Sequence, residues 1–120
     1  TRLQGDWSSD VCSSDLVVAR KFKNLLVFGC WWFLNNPVLI EEMTRMRLEL
    51  LGSSFIPQHS DCRVLDQMIY KWEHSKKIIE NVLLDKYRDI LETGWIIDES
   101  EITRDIDKLF GGNFWRFLNA

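Results

Sequence analysis

The chain is 120 residues long, 46% hydrophobic and 28% charged, with six Trp and seven Phe, too many large apolar groups for a segment that stays unfolded. Fifteen Lys and Arg against eighteen Asp and Glu give a formal net charge of -3, so no electrostatic attraction to a polyanion is available and no nucleic-acid partner is expected. The longest strongly apolar run, Leu25 to Leu34, is about half of the roughly 20 residues a membrane-spanning helix needs, and Asn35, Asn36 and Pro37 end it, so no membrane partner is expected.

Thr1 to Leu16, TRLQGDWSSDVCSSDL, is polar and rich in Ser and Asp, with neither strand nor helix periodicity. Within it, GDWSSDVCSSDL (Gly5 to Leu16) resembles the frame translation of a common short-read sequencing adapter. Two stretches are therefore expected: residues 1–16 as a non-native or disordered tail, and residues 17–120 as a fragment of a longer product. Asn24 to Phe33, NLLVFGCWWF, is nearly continuous in apolar residues and suits a strand covered on both faces. Gly29 marks a bulge or close approach near its end, where Trp31 and Trp32 follow. Asn36 can cap a helix opened by Pro37 and closed by Gly52, with Leu39, Met43, Met46 and Leu50 on one face and Glu41 paired with Arg45 on the other. Ser53 to Gln58 reads as a second strand, with Pro57 near its end.

From Arg63 the pattern is helical, with Val64, Leu65, Met68, Ile69 and Trp72 sharing a face. After a kink near His74 and Ser75 it resumes through Ile78, Ile79, Val82, Leu83, Tyr87, Ile90 and Leu91, and Gly94 stops it. Asp98 to Glu101 forms an Asp-containing analogue of the capping box, opening a helix with Ile102, Ile106, Leu109 and Phe110 inward as far as Gly111 and Gly112. A last turn would dock Phe114, Trp115 and Phe117. The three cysteines, Cys12, Cys30 and Cys62, contain no CxxC pair and cannot all pair within one chain, which fits a reducing, cytoplasmic setting.

The order strand, helix, strand has a parallel sheet as its natural home. Two parallel strands leave open edges and uncovered faces, so the segment reads as part of a larger α/β fold. In such folds chemistry concentrates at the carboxyl ends of strands, here Gly29 to Phe33 and Gln58 to Arg63. The second of these, QHSDCR, gathers an imidazole, a carboxylate and a guanidinium within six residues. Asp61 could ligate a divalent metal or move a proton, and Arg63 could bind an oxyanion or carboxylate. The residues equally allow Asp61 as the cap of the following helix, with Arg63 solvated.

GCWWF (Gly29 to Phe33), followed some thirty residues later by a strand ending in SDCR, resembles the last part of the uronate (glucuronate) isomerases of the amidohydrolase superfamily. The likeness is closest in GCWWF and in the D-x-R of Asp61 to Arg63, and runs more loosely from Val17 to Leu118. It implies an α/β fold, the C-terminal part of a (β/α)8 TIM barrel: about the last two β/α units plus terminal helices, mostly helical as an isolated chain. Asn24 to Phe33 would be the seventh strand and Ser53 to Gln58 the eighth. The reaction implied is interconversion of D-glucuronate with D-fructuronate, or of D-galacturonate with D-tagaturonate, so the partner would be a small uronic acid sugar.

By the same resemblance Asp61 would be the catalytic group and a metal ligand, and Arg63 catalytic and substrate-binding. Trp32 and Trp31 would wall the sugar site, with His59 a subsidiary metal candidate. The metal, zinc or manganese, would be held mainly by residues outside this chain, since the H-x-H pair of the first barrel strand has no counterpart here. The fragment alone would be inactive, and the full-length parent a homo-oligomer. Two other readings are a fragment of a different metal-dependent hydrolase of that superfamily, and a small non-catalytic helical module using exposed Trp and Phe as anchors.

Overall fold

The computed structural model describes residues 9–29, 36–59 and 62–120. Among them run the helices α1 (Ser9–Lys21), α2 (Pro37–Leu51), α3 (Leu65–Glu92), α4 (Glu99–Asp107) and α5 (Asn113–Leu118), with a π-helical turn, Lys108–Gly112, between the last two. The expectation of a mostly helical chain is met. Helix α1 lies where the sequence shows no helical period, and it runs through the junction expected between Leu16 and Val17. It packs against α2 and buries Leu16, while Arg20 and Lys21 in its last turn complement the negative end of the helix dipole.

The local signals around α2 hold. Asn36 Oδ1 accepts from the Leu39 amide at 3.2 Å, Pro37 opens the helix, and the Gly52 amide donates to the Leu48 carbonyl at 3.0 Å. Arg45 meets Glu41 at 3.0 Å as expected, and also reaches Asp85 of α3 at 3.0 Å, while Lys86 of α3 pairs with Glu49. These pairs are partly solvated and each contributes about 0–1 kcal/mol, so they fix the register of α2 on α3 more than they stabilise the fold. The buried stripe of α2 differs from the expected one: Ile40, Met43, Thr44 and Arg47 are buried, whereas Leu39, Met46 and Leu50 are only half-buried.

The two expected strands reduce, among the described residues, to one parallel bridge between Phe28 and Ile56. The Gly29 amide donates to the Ile56 carbonyl at 2.8 Å and the Ile56 amide to the Val27 carbonyl at 3.0 Å. Pairing is parallel, as the strand–helix–strand order requires, and Gly29 turns to φ +69 at the last described residue of the first segment. Residues 30–33 of the first expected strand lie outside the described residues. Beneath the bridge sits the core: Phe55, Ile79, Leu83 and Leu109, with Val27, Leu48, Leu51, Tyr87 and Phe110 packed around them. Full burial of such side chains stabilises by roughly 1.5–3 kcal/mol each.

Helix α3 runs unbroken through His74 and Ser75, where a kink was expected. Ser75 is fully buried and its Oγ accepts from Gln58 Nε2 at 2.7 Å, so its hydroxyl is engaged outside its own helix and has less cause to bend it. Val64, Leu65, Met68 and Ile69, expected inward, are exposed; the apolar face of α3 continues past the elements of this chain that could cover it. The Asp98 capping box forms, with the Asp98 amide donating to Glu101 at 3.1 Å and Asp98 accepting from Ser100 at 3.3 Å.

At Gly111, φ +150 breaks the helical path and separates α4 from α5. The residue that docks α5 is Asn113, whose Nδ2 donates to the Ser53 carbonyl at 2.7 Å and the Phe55 carbonyl at 2.8 Å. Phe114, Trp115 and Phe117, expected to dock, are exposed. An apolar groove of about 940 Å³ separates α3 from α4, lined by Trp72, Leu83, Tyr87, Leu91, Ile102 and Phe110 among others. No helix among the described residues is long and apolar enough to cross a membrane.

In that groove the Tyr87 hydroxyl donates to Asp105 at 3.0 Å. Burial first, then this bond, push the phenol up from 10.0 to about 12. A raised value means the fold favours the neutral phenol, so the pair's contribution is complete below pH 10.0 and is lost as pH rises toward about 12. Urea midpoints compared between the unsubstituted chain and Tyr87→Phe should therefore converge across that window, and parallel curves would show that the phenol carries no such linkage.

Candidate active site

The two strand ends meet at Gly29. Its carbonyl accepts from Arg47 Nη1 at 2.5 Å, and this arginine, in the middle of α2, is only 5% exposed. On the other side lies the His59 ring: a Cβ placed on Gly29 would fall 1.7 Å from His59 Nδ1 and 2.4 Å from Cε1. The same ring meets Phe28 edge-on, with centroids 5.8 Å apart at 64°. Only glycine satisfies both demands here, the positive φ and the absence of a side chain against the imidazole. The bulge or close approach expected at Gly29 is thus a close approach to His59.

Gln58 precedes this histidine and is 2% exposed, tied to Ser75 of α3 through its Nε2. Pro57 is buried as well. The segment that enters the D-x-R motif is therefore anchored on two sides, by the bridge at Ile56 and by α3 at Gln58. Beyond the motif, α3 starts at Leu65, and its N-cap position is held by Val64 with no side-chain cap. That is the place where a capping carboxylate would be found, three residues after Asp61.

Of the expected site residues, Asp61, Trp31 and Trp32 lie outside the described residues. Arg63 is exposed, its backbone N–H donating to Gln67 Oε1 at 3.4 Å. His59 packs against Gly29 and Phe28. Cys62, between the two motif residues, is a half-buried free thiol. His74 lies in the third turn of α3, beyond the site segment, and stacks on Tyr70, with ring centroids 6.1 Å apart. Among the described residues no three His, Cys, Asp or Glu side chains come together in a way that could hold a metal ion.

Sequence reasoning missed Arg47. Arg47 follows Met43 and Ile40 at helical spacing, and that stripe was the available signal.

Among the described residues, a helix crosses between two segments joined by one parallel bridge. Among solved structures, the chain is similar to the crystal structure of a uronate isomerase from Bacillus halodurans C-125 at 2.00 Å resolution, with a TM-score of 0.88 and 62% sequence identity over 93% of this chain. The chain spans 26% of the length of that protein. No family model and no curated protein matches it. At this degree of identity the likeness supports the uronate isomerase family for the quarter of that protein's length that the chain spans.

Proposed function

We propose that this chain is the C-terminal part of a metal-dependent aldose–ketose isomerase built on a (β/α)8 barrel, acting on D-glucuronate and D-fructuronate or on D-galacturonate and D-tagaturonate. The observation that carries the reading is the 62% identity to a uronate isomerase over nearly the whole chain. Supporting it, the segments that would bear the site are paired in parallel. The apolar side chains exposed on α3 and α5 are then surfaces for the remainder of the barrel.

Isomerisation requires a base that takes a proton from one carbon and returns it to its neighbour, with positive charge near the oxygen that becomes anionic in the enediol. Asp61 is the base. Arg63 holds a carboxylate or the developing oxyanion through paired N–H donors. Trp31 and Trp32 wall the sugar and exclude water. A divalent ion, zinc or manganese, would take Asp61 as a ligand and draw the rest of its ligands from outside this chain, with His59 subsidiary, and would polarise the substrate carbonyl. The parent would be a cytoplasmic homo-oligomer.

The test is a chimera in which this chain replaces the matching quarter of the Bacillus halodurans uronate isomerase, assayed with zinc or manganese on both uronates. Turnover is expected from the chimera and none from the 120-residue chain alone. A folded, metal-loaded chimera that turns over neither sugar but cleaves esters or amides would replace the isomerase reading with the hydrolase one.

A further inference from the structure

We propose that the side chain of Asn113 is a latch joining the C-terminal helix to the parallel bridge, so that α5 and the Phe28–Ile56 pair open and close as one unit ahead of the rest of the fold. The inference stands on the geometry of this chain and does not depend on the isomerase reading.

One peptide group carries the connection. In the trans peptide between Phe55 and Ile56 the C=O and the N–H point in opposite directions. The N–H donates to the Val27 carbonyl at 3.0 Å and so forms part of the bridge, while the C=O accepts from Asn113 Nδ2 at 2.8 Å. The two bonds run in series through one peptide, and each polarises it in the sense that strengthens the other. Asn113 Nδ2 also donates to the Ser53 carbonyl at 2.7 Å, so both of its hydrogens are engaged on this segment.

The same residue is what seats α5. Asn113 is buried, whereas Phe114, Trp115, Phe117 and Leu118 are exposed. The cap position of α5 belongs to Gly112 and carries no side-chain bond, so the Asn113 amide is spent on the bridge segment and not on its own helix. Just before it the helical path breaks at Phe110 and Gly111, with φ of -99 and +150, so α5 is not a rigid continuation of α4. Phe55 is fully buried beside it, and its carbonyl is left without a donor whenever α5 departs, which is unfavourable until the segment itself opens to water. Such coupling is reciprocal: whatever takes hold of the exposed face of α5 loosens the bridge, and a loosened bridge frees α5.

Native-state cleavage of the chain by chymotrypsin reads the two ends of the latch separately. Initial rates are taken by peptide mass after Phe55 in the bridge, after Phe114 and Phe117 in α5, and after Tyr87 in α3 as the reference; such rates follow the population of the locally opened state. Asn113→Asp keeps the size of the side chain and removes both N–H donors. The expected result is a rise of about 10- to 100-fold after Phe55 and in α5 alike, with cleavage after Tyr87 unchanged. Faster cleavage in α5 with an unchanged rate after Phe55 overturns the proposal. So does no change at either place, or an equal rise that includes Tyr87 and marks loss of the whole fold. If the Asp variant does not fold, the unsubstituted chain decides: below its urea transition the rates after Phe55 and in α5 should climb with one common slope, and two different slopes overturn the latch.

Discussion

Replacing Asp61 by Asn in the chimera should lower kcat for D-glucuronate by about 100- to 10,000-fold, the contribution a positioned general base makes to proton transfer. Asn keeps the size and shape of the side chain but cannot accept the proton that must move between the two carbons. The neighbouring Cys62→Ser should leave turnover unchanged, since the proposed reaction assigns the thiol no step. A solvent-exchange measurement sharpens the test. Exchange of the substrate's C2 proton with deuterated solvent should fall together with turnover. An Asn variant that retains full turnover and exchange would remove Asp61 from the proton path and leave it as a structural residue.

The second large effect is expected at Gly29→Ala. A β-carbon there would lie 1.7, 2.4 and 2.8 Å from three atoms of the His59 ring, so the imidazole as a whole must move and give up its edge contact with Phe28. The left-handed φ of +69 adds about 1–2 kcal/mol for a residue with a side chain, and forcing a methyl into a filled space adds about 1–3 kcal/mol. Together these lower stability by roughly 2–5 kcal/mol, a large share of what a domain of this size possesses. Urea denaturation of Gly29→Ala beside the unsubstituted protein measures this, and coincident transitions would mean that the strand end yields without strain.

How much of this could be seen in the sequence depends on the reach of each interaction. The Asn36 cap, the Asp98 capping box and the Glu41–Arg45 pair all act within four residues, and their signals survive in the linear order of side chains. The buried stripe of α2 was misplaced because apolar residues populate two adjoining faces of that helix. Which of them turns inward is decided by the strands and by α3, not by α2 itself. The same applies to α3: its long apolar pattern announces coverage, but nothing in a pattern says whether the covering element belongs to the same chain, and Leu65 and Ile69 remain exposed.

The candidate site was legible to a different degree. The D-x-R and GCWWF segments stand out as clusters of unusual side chains, and family resemblance gives them roles. The parts that hold them in place do not stand out: Gln58 on Ser75, Asn113 on Phe55, Arg47 on Gly29. Each joins positions 17 to 58 residues apart through one polar bond, and an isolated Gln, Asn or Arg in a sequence reads as surface.

The single bridge between Phe28 and Ile56 has a kinetic side. All of α2 lies between its two halves, so closing it requires a non-local loop to form, whereas the turns of α2 can form on their own. Its two hydrogen bonds share the Ile56 residue, as donor of one and acceptor of the other, and the ladder contains no further rung among the described residues. The amides of Gly29 and Ile56 should therefore exchange with solvent deuterium as one unit, through an opening smaller than global unfolding. The junction beside the proposed site is in this sense a part of the interior that opens ahead of global unfolding, and packing of the proposed barrel against it would slow that motion.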